Sequence, residues 1–267
     1  MVLGYSRLIM ARMLPSRRAA DLTAGTWALL EQLGACPTTL VWDNESGIGR
    51  WRGRDAPRLS PEFAGLAGSL GVGVRILRPR DPEAKGVVER ANRYLATSFE
   101  PGRHYVGPAD FNAQLGDWRD GANTRIHQRL RCRPTERLEA DRAAMVALPA
   151  QQPEAVGHRW ETCLARDHYI RLDTCDYSVH PWAVGRRVAV RADLEAVRVW
   201  RHGHLVADHA RCWAAHQTLS DAAHLRAATA LRTTAIHAGA APQSDEVQQR
   251  DLASYDRHFG TAEEVVA

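Results

Sequence analysis

Two acidic residues in this chain occupy positions where carboxylates can do chemistry. Asp43 closes the short apolar run Val41-Trp42-Asp43-Asn44, and Glu89 lies about two turns inside the helix expected to open at Asp81, in Arg80-Asp81-Pro82-Glu83-Ala84-Lys85-Gly86-Val87-Val88-Glu89-Arg90. An aspartate at a strand end and a glutamate at a helix start can share a divalent cation such as Mg²⁺ or Mn²⁺. Such an ion activates a hydroxyl and stabilises the leaving oxygen of a phosphodiester. Lys85 precedes Glu89 by one turn and is placed to meet phosphate, and Gly86 permits close backbone approach at a small cost in helix propensity. Alone, each residue has a plainer explanation: an Asp-Asn pair after a strand is usually a turn, and a helical glutamate usually faces water. Their joint occurrence, with a second strand and Pro79-x-x-Pro82 between them, raises the pair above that background.

The elements that must position them follow from pattern. Leu3 to Met13 reads as a strand with alternating polarity. Ser16 is placed to cap a helix reaching Leu33, with Ala20, Thr23, Trp27, Leu30 and Leu33 on one stripe and Gly34 as its stop. Thr38 to Trp42 is apolar enough to be a strand buried on both faces. Glu45 to Pro57 is a loop, Ser60-Pro61-Glu62 starts a helix to Leu70, and Val72 to Leu77 is the next strand. Pro79 and Pro82 keep the connection extended. At about 100° per residue, Ala84, Val88, Ala91 and Leu95 of the following helix, to about Phe99, form a stripe that should face the sheet. Lys85, Glu89 and Asn92 fall beside that stripe. Helices over Pro108–Asp120 and Pro134–Leu148 follow. The alternation predicts an α/β fold, a mixed sheet with flanking helices. Asp43 and Glu89 would sit at the carboxyl ends of its strands, where such sheets gather functional groups.

Beyond a linker over 149–165 the pattern changes. Short β-rich runs at His168–Leu172, Tyr177–Val179, Arg187–Arg191, Ala196–Trp200 and His204–His209, split by Asp173-Thr174, Val184-Gly185 and His202-Gly203, predict a small β-barrel over 166–213. A helical tail covers 214–267, with a break at Ala240-Ala241-Pro242. Arg186 and Arg187, with Arg191, Arg198 and Arg201 on neighbouring strands, could form a basic face that grips phosphates without reading sequence. Trp182 and Trp200 are expected in the barrel core. Cys163, His168, Cys175 and His180 are spaced more loosely than structural zinc pairs.

Composition bounds these readings. The 267 residues are 45% hydrophobic and 25% charged, with a net charge of +4, as in ordinary globular proteins. Lys85 is the sole lysine among 35 basic residues. Arginine suits bidentate phosphate recognition, although a GC-rich genome yields the same bias. No apolar run approaches membrane-spanning length, and the N-terminus lacks a signal-like pattern. Five cysteines without a Cys-x-x-Cys pair fit reduced thiols, so a cytoplasmic protein is expected.

The acidic segments carry a resemblance. Asp43-Asn44 and Pro79 to Arg90 resemble the second and third acidic motifs of the retroviral-integrase (DDE) superfamily. Asn123-Thr124-Arg125-Ile126-His127 with Arg133-Pro134-Thr135-Glu136-Arg137-Leu138 is similar to the segment that closes this core in bacterial transposases. More narrowly, Leu3-Gly4-Tyr5-Ser6-Arg7, Tyr177-Ser178-Val179, Val184-Gly185-Arg186-Arg187-Val188 and Arg250 to Asp256 resemble IstA-type insertion-sequence transposases. The resemblance implies a ribonuclease-H-like catalytic core over 1–148 and metal-dependent DNA cleavage and strand transfer. It makes Asp43 and Glu89 the Mg²⁺ or Mn²⁺ ligands, and Lys85, Asn92, Arg93, Arg186 and Arg187 the DNA contacts. It also implies partners: transposon-end and target DNA, further copies of the chain and an IstB-type ATPase helper, with no membrane. The family's first aspartate belongs on an earlier strand, and Asp21, the only aspartate before Asp43, falls on the first helix. The expectation is therefore a copy lacking the family's N-terminal part, with metal binding weakened or absent. The alternative is a catalytically inactive DNA-binding or oligomerising remnant. Genomic sequence upstream that encodes an in-frame aspartate-bearing strand would favour the enzyme.

Overall fold

The computed structural model describes residues 1–51, 56–78 and 82–239, with side chains for all of these except 82–85, 87 and 235–239. The chain divides into two compact units, Met1–Asp221 and Ala222–Ala267.

The first unit opens with a correction. Residues 1–14 do not form the expected strand. They fold back on themselves: the Met1 amino group donates to Met10 O (2.7 Å), Leu3 N–H donates to Leu8 O (3.0 Å), and only the Val2–Ile9 bridge is sheet-like. The reversal falls at Gly4-Tyr5-Ser6-Arg7, where Arg7 has φ +65°. It buries Leu3, Leu8 and Met10 together against Leu33, which an extended strand of alternating polarity would not do.

Helix α1 (Ala19–Leu33) ends at Gly34 with φ +76°, as the sequence predicts. Its cap differs. Ser16 Oγ accepts the Arg18 N–H at 3.1 Å and donates to Asp21 at 2.5 Å, so it braces the turn ahead of the helix. Strand β1 (Thr39–Trp42) follows, then the short antiparallel pair of β2 (Gly49–Arg50), inside the expected loop, and β3 (Arg58–Leu59), just after it. Helix α2 (Pro61–Leu70) is capped by Ser60, whose Oγ accepts Phe63 N–H at 3.3 Å, and stopped by Gly71. Strand β4 (Gly73–Ile76) runs parallel to β1 in the register Thr39↔Gly73 to Trp42↔Ile76. β1 was expected to be buried on both faces, yet Val41 is 52% exposed. Among the described residues β4 is the only strand hydrogen-bonded to β1, so the pair has the exposure of a sheet edge. Trp27, Leu30, Leu40, Phe63, Leu66 and Ile76 form the core beneath it.

Helix α3 (Pro82–Ser98) carries the glutamate motif, and α4 (Pro108–Asn123) packs against its second half. Tyr94 and Leu95 join Phe99, Phe111, Leu115 and Trp118 in a separate aromatic cluster, and Trp118 Nε1 donates to Ser98 Oγ at 3.2 Å. The stripe expected to face the sheet is only partly buried: Leu95 packs there, whereas Val88 is 46% exposed. The predicted helix over Pro134–Leu148 is shorter. A 3₁₀ turn, Pro134–Arg137, leads into α5 (Leu138–Ala143), and Val146 then pairs with Cys36.

The expected linker contains a strand. β5 (His158–Cys163) joins β8 (Arg187–Ala192), β9 (Ala196–Arg201) and β10 (His204–Ala210) in an antiparallel sheet of order β10-β9-β8-β5. β6 (Tyr169–Leu172), β7 (Cys175–Ser178) and β11 (Thr218–Leu219) make a second sheet, with β11 parallel to β7 in what was expected to be helical tail. No closed barrel is formed among the described residues. The two sheets share one core of Ile170, Tyr177, Val179, Val188, Val190, Val197 and Val199, so closure is replaced by face-to-face burial. The β9–β10 hairpin turns on His202 (φ +47°) and Gly203 (φ +79°), the two-residue geometry that matches strand twist. Where the chain enters β5, Gly157 has φ +78°, and a Cβ there would lie 2.4 Å from Ala192 O.

The second unit holds α6 (Ala222–Gly239), in which the Thr229, Thr233 and Thr234 hydroxyls donate to carbonyls one turn back. The predicted break at Ala240-Ala241-Pro242 and the segment Arg250 to Asp256 lie outside the described residues. No described helix is long and apolar enough to cross a membrane.

Candidate functional site

Asp43 stands where the sequence places it, directly after β1, and is exposed. The turn that carries it is held by several bonds. Asp43 Oδ1 accepts Asn44 N–H at 2.7 Å, and Asp43 O accepts Glu45 N–H at 2.7 Å. Asn44 Oδ1 accepts Trp51 N–H at 3.0 Å, the Trp51 indole N–H donates to Ile76 O at 3.0 Å, and Arg78 lies over the Trp51 ring at 4.9 Å. The Leu77 N–H reaches Trp42 O at 2.8 Å. The carboxyl ends of β1 and β4 are thereby fixed side by side, with Asp43 on the tip.

Glu89 is exposed on α3, as are Asn92 and Arg93. The side chain of Lys85, and the cap expected at Asp81, lie outside the described residues. Among the described residues, the atoms nearest to a Cβ placed on Gly86 belong to Arg90 of the same helix, at 3.5 Å. Among the described residues no three His, Cys, Asp or Glu side chains cluster as metal ligands. The loose Cys163/His168/Cys175/His180 set is no exception: the Cys175 thiol is buried and donates to Ala214 O at 2.9 Å.

Asp21, the only aspartate ahead of Asp43 in the sequence, is committed elsewhere. Its side chain is 1% exposed, and Arg211, also 1% exposed, donates to its Oδ1 at 2.8 Å. His158 Nε2 lies 3.1 Å from the same oxygen. Arg211 further reaches Asp193 O at 2.8 Å and Asp173 Oδ2 at 3.2 Å, and Arg18 pairs with Asp173 at 2.6 Å. Burial alone would raise the Asp21 pKa. The hydrogen bonds with His158, Ser16 and Arg211, with the Arg211 charge, outweigh it and hold the group at about 2. This ionised carboxylate ties α1 to the β-rich part of the unit. Sequence reasoning passed over Arg211 and His158, because burial and pairing of two residues so far apart leave no local signal.

On the β-rich part, Arg186 and Arg187 are exposed as expected, but the surrounding face is not uniformly basic. Arg159, Arg191 and Arg198 lie opposite one another across β5, β8 and β9. Arg187 pairs with Glu161 at 3.0 Å, Arg159 with Glu154 at 3.3 Å, and Arg198 with Asp208 at 3.2 Å and Asp193 at 3.7 Å. The two tryptophans expected in the core are outside it. Trp182 is 43% exposed with Arg201 4.3 Å from its ring centroid, and Trp200 carries Arg191 at 5.2 Å. Strand alternation is the reason for Trp200: Val197 and Val199 take the inward positions of β9. Asn123, flagged only as part of a motif, clamps the N-terminal loop. Its Oδ1 accepts Ile9 N–H and its Nδ2 donates to Ile9 O, both at 2.9 Å.

The first unit thus combines a parallel strand pair tipped by Asp43, flanking helices and a module of two β-sheets. Residues 148–221 match the family model of the Mu transposase C-terminal domain. A putative transposase of Mycobacterium tuberculosis is 28% identical over 91% of this chain and 62% of its own length. The transposase for insertion sequence element IS21 of Pseudomonas aeruginosa is 24% identical over 95% of this chain and 63% of its own. The chain is thus a relative of insertion-sequence transposases, and it spans about three fifths of the length of these two. The catalytic core domain of BIV integrase aligns with a TM-score of 0.39 at 20% identity, over 53% of this chain and 85% of that one.

Proposed function

We propose that this chain acts on DNA as the core and C-terminal part of a DDE-type transposase, with Asp43 and Glu89 as two of its metal carboxylates. The observation that supports this best is the relationship to transposases across 91% of the chain, because it takes in both acidic motifs and the β module together. The donor chemistry fits Mg²⁺ or Mn²⁺: two hard carboxylate oxygens on exposed positions, leaving room for the waters that Mg²⁺ retains. When bound, such an ion supplies Lewis-acid activation of a hydroxyl in phosphodiester cleavage and strand transfer. The chain's own contribution is positional. The Asn44–Trp51–Ile76 bonds fix the Asp43 turn, the aromatic cluster under Tyr94 and Leu95 steadies α3, and Lys85, Asn92, Arg93, Arg186 and Arg187 are the proposed phosphate contacts. Further copies of the chain and an IstB-type ATPase are the proposed protein partners.

A second reading, a DNA-binding remnant without catalysis, is favoured by one observation. Asp21 is locked to Arg211 and is not available to complete a three-carboxylate site. The two readings part in a joining assay with labelled transposon-end DNA, target DNA and Mg²⁺. The chain alone should bind the DNA without joining it, and should join it only when a chain supplying the missing carboxylate is added. Robust joining by the chain alone would contradict an incomplete site, and absence of joining in the supplemented mixture would favour the remnant.

A further inference from the structure

A cleft of about 640 Å³ opens between the N-terminal loop, α3, the end of α4 and the loop after it. Four arginines, Arg7, Arg90, Arg125 and Arg129, are among the residues that line it, and no Asp or Glu is. This differs from the β module, where Arg159, Arg187 and Arg198 each have a carboxylate partner. Among the described residues no ion pair joins the four cleft arginines to a carboxylate. Like charges gathered in one concavity repel, and a bound polyanion relieves that repulsion.

Two of the four arginines are restrained, Arg7 through its backbone and Arg125 through its side chain. Arg7 has φ +65°, a backbone region that disfavours any residue with a side chain. It is kept there by its N–H to Leu3 O at 3.2 Å and by the Asp141 carboxylate on the Ser6 N–H at 3.0 Å. Arg125 Nη1 reaches the Tyr94 hydroxyl at 3.3 Å, and the Tyr94 ring is packed 5.3 Å from that of Trp118. Tyr94 lies five residues from Glu89, about 140° around α3, so the cleft lies on a different face from Glu89, although Arg90 of the same motif lines it.

From these observations we infer that the cleft seats one DNA strand by its phosphates, as a site separate from the Asp43 and Glu89 carboxylates. Guanidinium forks match phosphate oxygens bidentately, and a concavity of this size takes a sugar-phosphate backbone more readily than a duplex. The inference rests on the proposal that the chain acts on DNA, and the test separates the two.

The test is fluorescence anisotropy with labelled single-stranded and duplex oligonucleotides at 50 to 200 mM salt. It compares the parent chain, an Arg7→Gln/Arg125→Gln/Arg129→Gln variant, the same triple with Lys, and Arg186→Gln. Each lost phosphate contact removes about 0.7 from the log–log salt slope for single strands. The Gln triple should therefore lower the single-strand slope by about 2 and weaken binding at least tenfold, while the Lys triple keeps most of the slope. Arg7→Gly should raise the thermal midpoint, by relieving the backbone, and still weaken DNA binding. Near-ultraviolet circular dichroism establishes that each variant is folded. If the parent binds and the folded Gln triple shows an unchanged slope, the cleft assignment fails while the DNA function stands. If polyglutamate displaces DNA at equal charge, the occupant is an acidic peptide and the inference fails. If the parent binds no DNA, both fail.

Discussion

Replacing Arg211 with Met removes the only guanidinium that, among the described residues, contacts the Asp21 carboxylate, at a position where both side chains are 1% exposed. Asp21 would keep Ser16 at 2.5 Å and His158 at 3.1 Å but lose the 2.8 Å ion pair, and Asp193 O and Asp173 would lose a donor. Removing one partner of a buried pair costs about 3–5 kcal/mol, because the survivor is left charged and poorly solvated. At a urea slope of about 2 kcal/mol per molar, the midpoint should fall by about 1.5–2.5 M. The double variant Asp21→Leu/Arg211→Met should recover most of that loss, since apolar residues can replace a buried pair at little net cost. The pH dependence has a defined sign. The folded pKa of Asp21 lies below its ordinary 3.8, at about 2. Its contribution is therefore present above pH 4 and fades as pH falls toward 2. At about 1.4 kcal/mol per tenfold change in proton affinity the effect is about 2 kcal/mol. Urea titrations followed by tryptophan fluorescence at pH 7 and pH 3 measure both quantities. A loss under 1 kcal/mol for Arg211→Met, or a double variant as unstable as the sum of the singles, would refute the reasoning.

Asn123→Ala should cost about 2–3 kcal/mol by leaving the Ile9 N–H and C=O without partners, and hydrogen exchange of residues 1–10 should accelerate. Gly157→Ala should destabilise the unit by at least 2 kcal/mol. The new Cβ would meet Ala192 O at 2.4 Å at a positive φ, and thermal unfolding reads the effect. Glu89→Gln, at an exposed helix position, should change stability by less than about 0.5 kcal/mol. A larger shift in urea titration would mean that Glu89 is structural. Arg187→Ala should likewise cost no more than about 1 kcal/mol, since its pair with Glu161 is solvent-exposed.

The elements most legible in the sequence were those punctuated by local chemistry. Ser60-Pro61 opens α2, Gly34 ends α1, and His202-Gly203 turns the last hairpin, because caps and turns are decided within a few residues. Asp43 was legible at its strand end for the same reason. What failed depended on distant partners. Alternation suggested a strand over Leu3–Met13, but Asn123 and Leu33 reward a folded loop. The β module's alternation was readable, but whether its strands close or stack is set by which sheets share Tyr177 and Val197. The outward tryptophans follow from that same choice. Asp21 was read as a misplaced acid, and its pairing with Arg211 across 190 residues could not be inferred from either neighbourhood.

The claim that Asp43 and Glu89 act together on DNA-bound metal is tested most directly by electron paramagnetic resonance of Mn²⁺ titrated into the chain bound to transposon-end DNA. The parent complex should bind Mn²⁺ beyond what free DNA takes up, and Asp43→Asn and Glu89→Gln should each abolish that increment while leaving DNA binding intact. An increment identical in the parent and both variants would contradict the account.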